Sequence, residues 1–212
     1  MKIAVVGANT KLGRLIVLGA EEQGIAVASI VDNYNNLVGN GPVILKDFNK
    51  LTSSDLNKFY AVIDCVSFSH IKDYSIDNLP LCNICSLLEN SNIKYLAIGS
   101  KSILYTDNTK KSYIGENDDI CVDSKESTDN KRHLIALKRL KTFYNVSWSC
   151  ICPPLHLDER GYGSGKYKFC DDIIPISIDG KSRIAIKDFA SSIIEYLKLG
   201  LKVQKIVSVR EI

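Results

Sequence analysis

The first thirteen residues carry the feature that most constrains the fold of this chain. An unbroken apolar run, Ile3 to Val6, ends at Gly7, and a helical stretch from Lys11 follows, with Gly13 in its first turns. A short continuous apolar run is typical of a strand buried on both faces of a parallel sheet. We therefore predict a strand, a glycine turn and a helix at the start of a βαβ unit.

Strand and helix signals alternate along most of the remaining chain. Up to Ile98 they form βα units, which predicts an α/β fold of the Rossmann-like, doubly wound type, with a mostly parallel sheet and helices on both faces. We predict that most of the stretch 101–128 is a long loop and that 155–169 is an irregular, glycine-rich segment. The predicted strands are 3–6, 26–31, 42–45, 60–66, 93–98, 147–152 and 205–209; the predicted helices are 11–23, a short one capped by 52–55, 77–89, 127–143 and 187–199.

Length and charge narrow the class of protein. The 212 residues suit one domain, residues 1–212, in which 153–186 form a small irregular lobe on the substrate side. A formal net charge of +3 is too small to indicate nucleic acid as a partner.

The chain has no apolar run of the roughly 18 residues that a membrane span needs. Its short N-terminal apolar run ends in a glycine turn and not in a cleavage site, so we expect a cytoplasmic protein. Seven cysteines without a secretory signal indicate reduced thiols.

The turn after the first strand has the setting of a phosphate-binding turn. Such turns use glycine for the tight bend and for close packing, and the helix N-terminus supplies free N–H groups. Thr10 stands where a glycine would be expected: its side chain narrows the space, and its hydroxyl can donate a hydrogen bond to a phosphate. The alternative is that the glycines serve only turn geometry and packing. The candidate cofactor-binding residues of the turn are Gly7, Asn9, Thr10, Lys11, Leu12 and Gly13.

Further candidates follow the ends of the later strands. Asp32 ends the second strand, where an acid can accept hydrogen bonds from an adenosine ribose and would repel a 2′-phosphate, which favours NAD over NADP. An aspartate that caps a turn at a strand end is an equally good interpretation. A bound dinucleotide would run past the carboxyl ends of the strands. The other candidate cofactor-binding residues there are Asn33, Asp47, Phe48, Cys65, Val66, Ser67 and Ser100.

With these residues the chain resembles the atypical short-chain dehydrogenase/reductase superfamily. Within it the chain is similar to the small NAD(P)H-binding group described as NADH-flavin reductase-like or NmrA-like, which is related to NAD-dependent epimerases and dehydratases. The resemblance implies a Rossmann-like fold with a site at the carboxyl edge of the sheet. That group has Thr-Gly where this sequence has Asn9 and Thr10, and its NADP-using members carry a basic residue near the position of Asp32. The matching segments are 2–8, 11–13, 95–100, 102–105, 148–154, 165–167 and 182–190.

The sequence does not assign catalytic residues. Other members of the superfamily use a Tyr and a Lys four residues later on one helix face. Tyr162 and Lys166 have this spacing, but they stand among three glycines, and we interpret the spacing as a coincidence. Ser100 follows the fifth strand, where the resemblance implies contact with the nicotinamide; it could equally be a turn serine. Other side chains that could line a substrate pocket are those of His70, Tyr105 and His156.

No metal site is predicted. Cys82 and Cys85 have a ligand spacing, but they lie in a predicted helix without a second pair. We predict that Cys150 and Cys152 point to opposite faces of their strand as small core residues.

Three functions are consistent with the sequence. The first is an NAD(P)-binding reductase that transfers hydride from a nicotinamide cofactor to a small planar acceptor such as a flavin or quinone. The second is a dinucleotide-sensing regulator without turnover, which the missing Tyr–Lys pair motivates. The third is a degenerate Rossmann scaffold that acts through protein contacts, which Thr10 motivates. For the first, the expected partners are a dinucleotide and a small-molecule acceptor, and neither nucleic acid nor a membrane.

Overall fold

A mostly parallel sheet forms the centre of the molecule. The structure, a computed structural model, describes residues 1–70, 75, 78–116 and 124–212, without the side chains of 124–127. The strands are β1 (Lys2–Val6), β2 (Ala26–Val31), β3 (Val43–Leu45), β4 (Ala61–Asp64), β5 (Lys94–Ile98), β6 (Ser147–Cys152), β7 (His156–Asp158), β8 (Tyr167–Cys170), β9 (Arg183–Ala185) and β10 (Lys205–Glu211). Eight of them pair in the order β3-β2-β1-β4-β5-β6-β10-β8, while β7 pairs with β9 in a separate parallel pair. Within the eight-stranded sheet only β8, which pairs with β10, runs antiparallel.

Helices cover both faces of this sheet. They are α1 (Lys11–Glu22), α2 (Ser53–Leu56), α3 (Pro80–Leu88), α4 (Ser124–Thr142) and α5 (Ile186–Lys198). Ile3 and Val5 of β1 belong to the hydrophobic cluster that includes residues of α1 and α5. Ala4 and Val6 belong to the cluster that includes residues of α3 and α4. Because successive strand residues point to opposite faces, an apolar run such as β1 buries both faces at once. The predicted fold is confirmed.

The fourth strand is shorter than predicted because a side chain ends it. β4 stops at Asp64, whose Oδ1 accepts hydrogen bonds from the backbone N–H groups of Val66 (2.8 Å) and Ser67 (3.0 Å). These bonds turn the backbone out of the ladder, which is how an aspartate commonly starts a turn. Cys65, Val66 and Ser67 therefore lie in the turn after β4 and not in the strand.

Two segments that we predicted to be irregular contain regular secondary structure. The stretch 155–169 includes β7 and the start of β8, which pair with strands far along the chain. The stretch 101–128 includes 3-10 turns at Lys101–Ile103 and Ile114–Glu116 and the start of α4, three residues earlier than predicted. The predicted helix from Asp77 begins at Pro80, and Asp77 itself lies outside the described residues.

The prediction for Cys150 and Cys152 was wrong. Residues two apart on a strand share a face, and both thiols belong to one hydrophobic cluster. A Cβ on Gly99 would lie 2.6 Å from each sulfur, so the strand end beside them accepts only glycine. The six described cysteines are free thiols, and Cys121 lies outside the described residues.

In the part of the chain that the structure describes, no helix is long and apolar enough to cross a bilayer.

Candidate functional site

The turn between β1 and α1 is held by Thr10. The threonine is the N-cap of α1: its Oγ1 accepts from the N–H of Gly13 (3.1 Å) and donates to the carbonyl of Gly7 (2.8 Å). Gly7 has a φ of +72°, and a Cβ on Gly13 would lie 2.2 Å from the Gly7 carbonyl oxygen. Only glycine therefore fits at position 13. The Thr10 hydroxyl hydrogen is taken by a backbone carbonyl, so it does not point to a phosphate as the sequence suggested.

The helix N-terminus nevertheless keeps free donors. Among the described residues, the backbone N–H groups of Lys11 and Leu12 have no acceptor, as is usual for the first turn of a helix. Together with the helix dipole they favour an anion. The Lys11 ammonium forms an ion pair with Glu159 (2.9 Å), which links the turn to the loop after β7.

A polar cavity of about 500 Å³ lies beside this turn, at the carboxyl ends of β1 and β2. Asn9 Nδ2 donates to the backbone carbonyl (3.3 Å) and side-chain carbonyl (3.2 Å) of Asn33, and Asn33 Nδ2 donates to Asp32 Oδ1 (2.8 Å). Of the described residues that line this cavity, Asp32 is the only acid, and none is Lys or Arg. Its wall therefore disfavours a second negative charge next to Asp32.

A larger cleft of about 640 Å³ continues from the polar cavity. Both cavities include Thr10 and His70, so they form one groove along the carboxyl edge of the sheet. We call this larger space the apolar cleft, because much of its wall is apolar side chain. Its apolar lining consists of Leu12, Phe68, Ile98, Pro153, Pro154, Leu155, Leu157, Ile186 and Phe189.

A chain of hydrogen bonds runs from the apolar cleft into the protein. Ser100 Oγ lies 2.8 Å from Ser102 Oγ, which lies 2.9 Å from His133 Nδ1, and His133 Nε2 lies 2.8 Å from the carbonyl oxygen of Phe68. Burial lowers the pKa of His133, against the opposing effects of the Phe68 carbonyl and the charge of Asp129. Ser100 and His133 both line the cleft, and Ser102 is fully buried behind them.

Sequence reasoning missed His133. The signal was present: His133 precedes Ala136, Leu137 and Leu140 at the three-, four- and seven-residue spacing of one helix face, and those three residues are buried. A histidine on a buried helix face needs hydrogen-bond partners. Its partner Ser102 lies 31 residues away in the chain, so only the tertiary structure identifies it.

A second buried polar group supports the turn after β4. Asp64 is 1% exposed and accepts from two backbone N–H groups, from the hydroxyl of Ser67 and from the hydroxyl of Tyr95 (2.6 Å). Burial, together with the charge of Asp64, raises the pKa of Tyr95, so this phenol stays a donor. The turn after β4, in which Val66 lines the polar cavity and Cys65 lines the apolar cleft, is thus anchored in the core.

The structure brings most of the predicted site residues to this groove. Those lining the polar cavity are Gly7, Asn9, Thr10, Asp32, Asn33, Phe48 and Val66; those lining the apolar cleft are Thr10, Lys11, Leu12, Cys65 and Ser100. Gly13, Asp47 and Ser67 line neither. Gly13 packs against the turn, Asp47 accepts from the N–H of Asn49 (2.9 Å) in a 3-10 turn, and Ser67 bonds to Asp64.

The remaining candidates lie elsewhere, apart from His70. Tyr105 stacks on Tyr113, with ring centroids 4.3 Å apart, and does not line the groove. His156 lies on β7 beside a separate cavity. Tyr162 is 88% exposed in a non-helical segment, which agrees with the interpretation that its spacing to Lys166 is a coincidence.

These features define a class of protein. The order β3-β2-β1-β4-β5-β6, with a glycine turn after β1 and a groove at the strand ends where the order reverses, is the Rossmann-like arrangement that binds nucleotides. The comparisons with known proteins agree with that class.

No family model matches the chain. It is 25% identical over 199 residues to the uncharacterized protein YwnB of Bacillus subtilis, covering 93% of this chain and 92% of the relative. It is 28% identical to a Streptococcus pneumoniae protein of known crystal structure that is provisionally described as an NADH-flavin reductase. That match covers 100% of both chains, with a TM-score of 0.89. A crystal structure from Bacteroides thetaiotaomicron, provisionally described as an epimerase, is 19% identical with a TM-score of 0.85 over 100% of this chain and 97% of that one, and shows the fold alone. The resemblance to the atypical short-chain dehydrogenase/reductase superfamily is confirmed.

Proposed function

We propose that the protein binds a nicotinamide dinucleotide, NAD(H) in preference to NADP(H), and reduces a small planar acceptor in the apolar cleft. The observation that carries this proposal is the single groove in which a polar cavity and an apolar cleft meet at the glycine turn. A dinucleotide also has two unlike halves: its adenosine and pyrophosphate suit the polar cavity, and its flat nicotinamide ring suits the apolar cleft. The provisional description of the Streptococcus pneumoniae protein as an NADH-flavin reductase supports a reductase that uses a nicotinamide dinucleotide.

The residues of the groove fit such a cofactor. The Asp32 carboxylate can accept from both hydroxyls of the adenosine ribose, with Asn33 beside it. The N–H groups of Lys11 and Leu12 would hold the pyrophosphate, and Thr10 would keep the turn that presents them. A bound nicotinamide supplies hydride chemistry, and the protein supplies binding, orientation and exclusion of water.

The preference for NAD(H) follows from charge. A 2′-phosphate near Asp32 would meet a carboxylate, and no Lys or Arg among the described lining residues of the polar cavity would compensate it. Like charges in contact raise the free energy of a complex by several kcal/mol when they are desolvated. NAD(H), which has no such phosphate, avoids this penalty.

The acceptor would occupy the apolar cleft. The half-buried Leu12, Leu155 and Leu157 provide branched apolar surface, and the buried rings of Phe68 and Phe189 pack behind it, as expected for a site that binds a ring system. We propose that residues 153–186 act as the substrate-side lobe, because Pro153 to Leu157 and Ile186 contribute to the wall of the cleft.

Calorimetry with NADH and NADPH tests the binding step. We expect NADH to bind more tightly than NADPH by at least about tenfold, or 1.4 kcal/mol. Asp32→Asn should reduce this ratio, whereas Asp47→Asn, a nearby exposed acid outside the cavity lining, should not. Equal affinities of the wild type for both dinucleotides would contradict the role of Asp32.

Turnover separates the reductase from its alternatives. Pure protein is incubated with NADH and a panel of flavins, quinones and ketones, and oxidation at 340 nm is followed. Binding without oxidation of NADH would favour the dinucleotide-sensing regulator. Absence of binding would favour the degenerate scaffold, and Thr10→Gly would then show whether Thr10 is responsible, since its affinity should rise if the side chain obstructs the turn.

A further inference from the structure

The hydrogen bonds from Ser100 to His133 form a chain with a direction that depends on one proton. The Phe68 carbonyl can only accept, so the hydrogen of this bond is on His133 Nε2. In the neutral imidazole Nδ1 then accepts from the Ser102 hydroxyl, and Ser102 Oγ accepts from Ser100. When Nδ1 is protonated, it donates to Ser102 Oγ, and the Ser102 hydroxyl donates to Ser100 Oγ. The Ser100 hydroxyl then donates into the cleft. We call Ser100, Ser102 and His133 the relay.

We propose that the relay delivers a proton to the oxygen of a carbonyl acceptor in the apolar cleft, so that the substrate class of the proposed reductase is a ketone or quinone and not a flavin. This inference rests on the proposed function, which supplies the reduced nicotinamide dinucleotide. Ser100 is the residue that would contact the acceptor oxygen, and Ser102 and His133 act through it.

The chemistry balances with these groups. A ketone carbonyl that becomes a hydroxyl gains one hydride, with two electrons, at carbon, and its π electron pair moves to oxygen. In a quinone one carbonyl oxygen takes the hydride with its two electrons, the ring becomes aromatic, and an electron pair arrives on the other carbonyl oxygen. The oxygen that receives the electron pair takes the proton of the Ser100 hydroxyl. Ser100 recovers a proton from Ser102, and Ser102 recovers one from His133 Nδ1, which leaves a neutral imidazole that solvent protonates again.

The surroundings of the relay suit proton delivery. Ser102 is fully buried and much of the cleft wall is apolar, so the link from His133 to Ser100 is shielded from water. A positioned general acid contributes about 10²–10⁴-fold to a rate. Hydride transfer to a flavin needs little acid–base assistance, so a relay of this kind would have no part in it.

The protonation state of His133 gives the proposal a pH dependence. Burial lowers its pKa, so the free protein holds the neutral imidazole near pH 7. A carbonyl oxygen needs a donor from Ser100. With the neutral imidazole the Ser100 hydroxyl donates into the cleft only by giving up its bond to Ser102 Oγ, whereas with the protonated imidazole that bond is kept, so carbonyl binding and His133 protonation are coupled. Reduction should accordingly weaken as pH rises. Among the described residues, the charged or titratable groups nearest the imidazole or lining the same cleft are Asp129, Lys11, Cys65, His70, Lys101 and Glu159. Burial raises the pKa of the Cys65 thiol, so this group stays uncharged.

The first experiment uses the dinucleotide-free protein and does not depend on activity. The pKa of His133 is measured by NMR with labelled histidine, alone and with saturating acetophenone or ethylbenzene, and His70→Gln and His156→Gln identify the other two signals. We expect acetophenone to raise the pKa of His133 in the wild type and not in Ser102→Ala. Ethylbenzene, which has the same ring without the carbonyl, should leave it unchanged. A pKa that acetophenone does not move, or that moves equally in Ser102→Ala, would overturn the relay.

The second experiment measures turnover of NADH with a naphthoquinone and with FMN. Ser102→Ala and His133→Gln should lower kcat for the quinone by about 10²-fold or more and flatten its pH profile, with KM for NADH nearly unchanged. Ser208→Ala, which removes a fully buried hydroxyl outside the groove, is the matched control. Equal losses for quinone and FMN would overturn the proposal.

The NMR experiment and the turnover experiment together distinguish a failure of the relay from a failure of the proposed function. If NADH does not bind to the wild type, the proposed function fails, while the NMR arm still decides whether the relay responds to a carbonyl. If NADH binds and only FMN is reduced, the reductase stands and the relay is excluded as a proton source.

Discussion

The carboxylate of Asp64 should be among the most sensitive single groups for stability. It is buried and accepts four hydrogen bonds, from Val66 N–H, Ser67 N–H, the Ser67 hydroxyl and the Tyr95 hydroxyl. Asp64→Ala removes every acceptor but leaves the donors in place. Leaving one buried polar group unsatisfied costs about 1–3 kcal/mol. The Ser67 hydroxyl can rotate to another partner, so three donors remain stranded, and we expect a loss of about 3–5 kcal/mol.

The matched variant is Tyr95→Phe. It removes one donor and leaves Asp64 with three partners, so it should cost only about 1 kcal/mol. In the double variant the phenol is no longer stranded, so the combined loss should be smaller than the sum of the two single losses. The free energy of unfolding is measured by urea titration, followed by the fluorescence of the single tryptophan, Trp148.

The outcome can refute the reasoning in two ways. A loss below about 1 kcal/mol for Asp64→Ala would mean that water satisfies the stranded donors. Additive losses in the double variant would mean that the carboxylate and the phenol do not act as a pair.

Three further perturbations test other parts of the fold. Gly13→Ala places a Cβ 2.2 Å from a carbonyl oxygen of the turn, so we expect a loss of about 1–3 kcal/mol in thermal unfolding and weaker NADH binding in calorimetry. Asp188→Ala removes the acceptor of the N–H groups of Ser164 (2.7 Å) and Gly165 (3.0 Å), so hydrogen exchange of these two amides should accelerate by about tenfold or more, while β1 amides stay unchanged. For Asp55, burial raises the pKa, but hydrogen bonds from Lys46 and Thr52 outweigh it and hold the pKa below its usual range. Its contribution to stability is present above the unfolded-state pKa of about 4 and is lost as pH falls through the lower folded pKa. Asp55→Asn should therefore flatten the dependence of Tm on pH between about pH 5 and 2, and an unchanged slope would contradict this.

Local patterns along the chain were sufficient for the fold class. The apolar run before Gly7 identified a strand buried on both faces, and α1 followed where the helical spacing began. Strand β6 was predicted with its observed bounds, Ser147–Cys152. These signals are readable because the side-chain periods of helices and strands are set by neighbours within a few residues. The same logic located Asp32 at the end of β2, beside the polar cavity.

Pairings between distant residues were decided by the tertiary structure alone. The short strands β7, β8 and β9 find their partners across the fold, and their sequences carry little local signal. The end of β4 depends on Asp64, whose partner Tyr95 lies 31 residues further on. A hydrogen-bond partner of this kind is a property of packing and not of sequence spacing.

The glycine turn illustrates both kinds of information. By itself the sequence determined that a strand, a turn and a helix stand at the start of the chain, because apolar periodicity and glycine act locally. The cap that Thr10 makes is also local, because its partners Gly7 and Gly13 lie three residues away, but the structure was needed to show that its hydroxyl is used there and does not face a phosphate. Only the tertiary structure decided that Ser100 reaches His133 through Ser102, because that contact depends on where α4 settles against the sheet.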